Sequence, residues 1–146
     1  MHKISINLWF DDQAEEAARF YTSLISGSEI TDVEYYSENV PGREAGTVMT
    51  VGFTLGGARF TALNGGPHDE FNDSISLVVE CADQTEIDRL WDTLTADGGQ
   101  EVQCGWLIDR FGVRWQIIPE DIAELLTSPS AVRAMLQMIK LDIAAL

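Results

Sequence analysis

Apolar and polar residues alternate in two rhythms along this chain, and the pair of rhythms occurs twice in the same order. Residues 4–10 and 75–81 are short apolar runs rich in β-branched side chains, the pattern of strands. After each run an Asp, Asp12 or Asp83, stands where a helix N-cap is expected, and the acidic residues that follow favour the positive end of a helix dipole. Ala14, Ala17, Ala18, Tyr21 and Leu24 then recur at helical spacing, as do Ile87, Leu90, Trp91 and Leu94. Gly27 and the pair Gly98-Gly99 are expected to close the two helices as C-cap glycines.

A constant offset of 71 residues aligns the two copies, from Ser5 to Ser76 and from Asp12 to Asp83. At that offset Ile4/Ile75, Ser5/Ser76, Asp12/Asp83, Gln13/Gln84 and Glu15/Glu86 are identical, and Phe20 falls on Trp91. Strands are predicted after each helix, over residues 30–36, 47–55 and 58–64 in the first copy and 101–103, 106–109 and 113–118 in the second. Gly56-Gly57 reads as a tight hairpin turn, and Arg110-Phe111-Gly112 as the matching turn. Residues 39–46 form a loop, and residues 65–73 link the copies. The tail is predicted to hold helices over 121–126 and 130–143, with Pro129 near the start of the second. In that helix Val132, Met135, Leu136 and Ile139 make an apolar stripe suited to packing on a sheet or a second subunit. The expected fold is α+β: one domain over residues 1–146, with module one at 1–66, module two at 73–119 and a C-terminal helical tail at 120–146.

Composition narrows the function classes. A hydrophobic content of 45% with 23% charged residues is ordinary for a globular chain. The net charge of −15 repels phosphate backbones, so nucleic acid is not an expected partner. No apolar stretch approaches the roughly 18 residues that span a bilayer, and the start lacks a signal-peptide pattern, so a cytoplasmic protein is expected. Cys81 and Cys104 form no C-x-x-C pair and are expected to be reduced.

Specific chemistry is sparse. The two histidines, His2 and His68, lie beside the terminus and in the linker, where neither serves a Ser-His-Asp arrangement well. No G-x-G occurs anywhere, so a nucleotide-type cofactor turn is missing, and there is no phosphate-binding G-x-x-x-x-G-K-[ST].

Three motif groups carry a resemblance. They are Leu8-Trp9-Phe10-Asp11 leading to Glu15-Glu16-Ala17 and Phe20-Tyr21; Ala62-Leu63-Asn64-Gly65-Gly66-Pro67; and Gln103-Cys104-Gly105-Trp106-Leu107 with Asp109-Arg110-Phe111-Gly112-Val113 and Trp115-Gln116. Together with the ending Lys140-Leu141-Asp142-Ile143-Ala144-Ala145-Leu146, they resemble the PhnB-like branch of the vicinal-oxygen-chelate (glyoxalase/bleomycin-resistance/dioxygenase) superfamily, whose members often carry the label 3-demethylubiquinone-9 3-methyltransferase.

The resemblance implies two βαβββ modules whose curved mixed sheets surround a cavity, commonly in a homodimer. Active members hold a divalent metal there through His, Gln or Glu side chains, and the metal acts as a Lewis acid. Here the matching first-strand positions are Ser5 and Ser76. The final-strand positions are taken as Asn64 and Gln116. This set is neutral, so a cavity without tightly bound metal is expected, with Gln116 the one candidate ligand. The expected lining adds Asn7 and Cys104 and an aromatic wall from Trp9, Phe53, Trp106 and Trp115. The resulting expectation is a small-molecule-binding protein with no cofactor. The alternative is a metal-dependent lyase, isomerase or dioxygenase that uses Gln116 with a further acid such as Glu80 or Asp109. Methyl transfer is not expected.

Overall fold

Strand, helix and three further strands do occur twice. The computed structural model describes residues 3–146, and the chain forms two units, Met1–Asp69 and Glu70–Leu146. His2 lies outside the described residues.

The first unit runs β1 (Ile6–Phe10), α1 (Ala14–Leu24), β2 (Glu29–Tyr35), β3 (Val48–Leu55) and β4 (Ala58–Asn64). Its sheet has the order β1-β4-β3-β2, with β1 parallel to β4 and the other pairs antiparallel. The second unit runs β5 (Leu77–Cys81), α2 (Gln84–Thr95), β6 (Gln100–Glu101), β7 (Trp106–Ile108) and β8 (Arg114–Pro119). Its sheet repeats the plan as β5-β8-β7-β6, again with the outer pair β5 and β8 parallel. Two four-stranded mixed sheets with identical strand order establish the duplication and the α+β class.

Each sheet is covered by its helix on one face only. In the first unit Leu8, Phe10, Val51, Phe53, Phe60 and Ala62 are buried, and α1 lays Ala14, Ala17, Ala18 and Tyr21 on them. Three alanines let the helix approach closely, and Tyr21 reaches across to Phe53, with ring centroids 6.5 Å apart. In the second unit Ile87, Leu90, Trp91 and Leu94 of α2 cover Leu77, Cys81, Leu107, Trp115 and Ile117. Fully burying a large apolar side chain contributes roughly 1.5–3 kcal/mol, so these two layers dominate stability. Alternation along the strands leaves Ser5, Asn7, Trp9 and Thr61, and likewise Ser76, Val78 and Gln116, on the opposite, open faces.

The helix starts differ. Asp83 caps α2 as expected: its carboxylate accepts from Glu86 N at 2.9 Å, and Glu86 reciprocally accepts from Ala82 N. Asp12 makes no such bond. Instead Asn64, at the end of β4, reaches over to accept from Ala14 N at 2.8 Å. The helix ends also differ. The helices stop at Leu24 and Thr95, so Gly27 and Gly98, both at positive φ, serve the turns into the next strand rather than the caps themselves.

The tail is shorter in helix than its pattern implied. α3 (Ile122–Leu125) and α4 (Pro129–Gln137) form, with Pro129 in the first turn and Ser128 as cap. The chain then turns extended at Met138, because Met138 O and Ile139 O accept from Cys104 N and Gly105 N. Leu141 is buried beside Gly105. Gln84 holds the end on both sides: its Nε2 donates to Leu141 O, and its Oε1 accepts from Ile143 N. Val132, Leu136 and Ile139 stay exposed, so within this chain the expected stripe has no cover.

Asp109 locks the β7–β8 turn. It is 2% exposed, and its carboxylate accepts from Phe111 N, Val113 N and the Trp115 indole at 2.9–3.0 Å. Replacing Asp109 by Ala strands three buried donors, so Asp109→Ala should cost about 3 kcal/mol in urea unfolding. A loss below about 1 kcal/mol would mean that the turn is held elsewhere.

Candidate functional site

The open faces are where side chains remain available for chemistry, and strand register says which ones share them. In the second unit Val78 sits opposite Gln116, and Gln116 opposite Trp106. Gln116 Nε2 donates to Ser76 Oγ at 2.9 Å. Ser76, Gln116 and the half-buried Trp106 therefore form one patch. Glu80 lies exposed further along β5, opposite Ile118. Asp109 is committed to its turn and takes no part.

In the first unit Asn7 sits opposite Thr61. Asn7 and Val78 are equivalent in the repeat, so the counterpart of Gln116 is Thr61, not Asn64. Asn64 pairs with Phe10 on the helix side. Its Oδ1 serves Ala14 N, its Nδ2 donates to Val48 O at 3.1 Å, and its backbone carbonyl accepts from Tyr36. Structural duty thus explains the carboxamide. A cavity of about 470 Å³ does open beside it, lined among others by Asp11, Asp12, Tyr36 and Arg43, at the strand ends rather than on the open face.

Two of the expected aromatic residues are likewise in the cores. Phe53 is stacked on Phe60 at 5.3 Å, and Trp115 is 1% exposed with its indole on Asp109. Both occupy helix-facing strand positions, where burial of a large ring is the strongest available stabilisation. Trp9 does stand on the open face. Its ring lies over Gly65, where a Cβ would fall 2.3 Å from Cε2, and its Nε1 donates to Gly66 O at 2.9 Å.

A second cavity, about 250 Å³, lies on the open face of the first sheet. Ser5, Thr31, Asp32, Thr54, Arg59 and Thr61 line it. Gly52, Phe53 and Phe60 complete the lining, and of these residues Ser5 and Phe53 stood out in the sequence. The missing signal was there: Gly57-Ala58-Arg59-Phe60 and Gly112-Val113-Arg114-Trp115 share the form G-x-R-aromatic, which aligns Thr61 with Gln116 directly.

Cys104 lies in the turn before β7 at φ 60° and is half-buried. Cys81 is fully buried; burial first, and the Glu86 carboxylate second, push its thiol up to about 12. Neither cysteine is in a disulfide. Among the described residues no group of three or more His, Cys, Asp or Glu side chains is placed to hold a metal ion.

A sequence model of the family described as 3-demethylubiquinone-9 3-methyltransferase matches residues 2–118. A solved structure described as a putative 3-demethylubiquinone-9 3-methyltransferase, PhnB protein, from Bacillus cereus is 36% identical, with a TM-score of 0.72 over 81% of this chain and 99% of that one. The chain belongs to the 3-demethylubiquinone-9 3-methyltransferase-like (PhnB) family. The PhnB-like fold extends to more distant structures. Protein PA1353 from Pseudomonas aeruginosa has a TM-score of 0.65 at 20% identity, covering 82% of this chain and 98% of that one. The fosfomycin resistance protein FosX from Listeria monocytogenes has 0.56 at 13%, covering 87% and 98%. At these identities the likeness is one of fold. No curated protein matches the chain. No helix among the described residues is long and apolar enough to cross a membrane.

The two thiols of this PhnB-like chain should separate cleanly. At pH 8, Ellman's reagent should modify Cys104 in the native protein and leave Cys81 untouched until denaturant is added. Two equivalents released without denaturant would contradict the burial of Cys81.

Proposed function

We propose that this protein binds a small molecule on the open faces of its sheets and holds no tightly bound metal. The observation that carries this is the Ser76–Gln116 hydrogen bond, which puts a hydroxyl and a carboxamide at the positions of the expected metal ligands. The Gln116 amide already spends a proton on Ser76, leaving its carbonyl as one neutral donor. In the first sheet the equivalent positions are Ser5 and Thr61, two more hydroxyls. Transition metals are held by imidazole, thiolate and carboxylate, and these four residues do not fit one. They do suit hydrogen bonding to an organic ligand.

The family's methyltransferase label finds little support in this chain's own residues. A glycine-rich turn between a parallel strand and a helix is what a nucleotide-type cofactor needs. The connection from β1 to α1 is Asp11-Asp12-Gln13, and that from β5 to α2 is Ala82-Asp83, with no glycine in either. A binding or sequestering role accords better, and is in keeping with the fosfomycin resistance protein among the structures of this fold.

A second copy of the chain belongs to this reading as well. Ile4, Tyr35, Ile75 and Val78 are large apolar side chains left exposed on or beside the sheets, and a homodimer is the economical cover. Two free thiols suit a reducing cytoplasm.

Elemental analysis of the dialysed protein should find zinc, iron and nickel well below stoichiometric. A full equivalent of any of them surviving dialysis would reject the metal-free site.

A further inference from the structure

The β2–β3 pairing breaks register between Ile30 and Asp32: Ile30 faces Phe53, Asp32 faces Gly52, and Thr31 is the extra residue. Such a bulge re-aims side chains, and bulges concentrate near active sites. Here it turns two consecutive side chains to one side. A Cβ on Gly52 would fall 2.2 Å from Asp32 Oδ1 and 2.8 Å from Thr31 Oγ1, so both lie over the glycine on the open face. The missing side chain at Gly52 is therefore what gives the Asp32 carboxylate its seat. Thr31 Oγ1 donates to that carboxylate at 2.9 Å and orients it.

Around this carboxylate the lining combines hydroxyls with Gly52 and the rings of Phe53 and Phe60. Ser5, Thr31, Thr54 and Thr61 each present a hydroxyl, and Arg59 lines the same cavity. The acceptor-only carboxylate, the donor-only guanidinium and the two-way hydroxyls together offer every hydrogen-bonding role. Asp32 and Arg59 bring opposite formal charges, so the lining favours neither a cation nor an anion. The volume of about 250 Å³ is below the roughly 300–1,000 Å³ of drug-sized sites.

We propose that this cavity recognises an uncharged polyhydroxylated small molecule, a sugar or cyclic polyol, with the Asp32 carboxylate accepting from adjacent hydroxyls. A ligand of this kind donates and accepts at its hydroxyls, which Asp32, Arg59 and the four hydroxyl side chains can meet, while its C–H faces suit the phenylalanine rings. An apolar or aromatic ligand would strand the carboxylate without compensation. The proposal rests on the open face being the ligand-binding face.

The test is amide chemical-shift titration of the full chain with glucose, galactose, ribose and myo-inositol, with indole as an apolar probe. At least one polyol should shift the amides of Ser5, Asp32 and Thr61 saturably. Asp32→Ala and Thr61→Val should each weaken it at least tenfold. Gly52→Ala should do the same by displacing the Asp32 carboxylate, whose swinging end leaves the fold intact, as an unchanged spectrum elsewhere will show. If indole shifts these amides and no polyol does, the polyol proposal is overturned while the binding face stands. If neither touches the open faces, both are overturned. Polyol binding that survives all three substitutions, or glucosamine binding tenfold tighter than glucose, also overturns the proposal.

Discussion

Each strand has two faces, and each sheet has one helix to cover it. This constraint orders the molecule. α1 and α2 take the face bearing Phe10, Phe53 and Phe60 in one unit and Cys81, Trp115 and Ile117 in the other. Residues there are chosen for volume and for hydrogen bonds that close the core, as Asn64 and Asp109 show. The residues in between point to the open faces and are free of that duty. A one-residue slip in assigning a strand's face therefore changes a ligand-binding candidate into a core residue.

The duplication was legible because both rhythms recur in the same order, the first strands at an offset of 71 and the buried helix stripe at 73, and the motifs led to the right family. The site was legible only where the repeat had been followed residue by residue. Ser5 and Ser76 sit at the aligned starts, Ser5 on the open face of its sheet with Asn7 and Trp9, and Ser76 on that of its own sheet with Gln116. Asn64 stands near the strand end, and register shows it three residues beyond Thr61, the counterpart of Gln116. Three residues is an odd number, so the error also crossed the sheet. Phe53 and Trp115 carry rings suited to a ligand wall, but the same rings are the best core material, and of the two only Phe53 also borders the second cavity. The contribution of β2 was hidden for another reason. A bulge has no pattern in a single sequence, and Thr31 and Asp32 look like any polar alternation until Gly52 is placed beneath them.

The two open faces differ in chemistry although the backbone plan is the same. The first carries hydroxyls, Asn7, Asp32 and Arg59, whereas the second mixes Ser76 and Gln116 with Val78 and Trp106. Both faces have diverged since duplication: the core stays apolar while its volumes are redistributed, with Phe10 against Cys81, Ala62 against Ile117 and the alanines of α1 against Ile87, Leu90 and Trp91. The proposed function rests on the neutral side chains at Ser5, Thr61, Ser76 and Gln116, which suit hydrogen bonding better than metal ligation.

Soaking crystals of the protein with a library of small organic fragments tests the central claim most directly, because it reports position without presuming chemistry. Fragments should settle against Ser5, Asn7 and Thr61 or against Ser76, Trp106 and Gln116, with no metal density between the side chains. Fragments that collect only around the tail helices or the strand ends near Arg43, leaving both open faces bare, would contradict it.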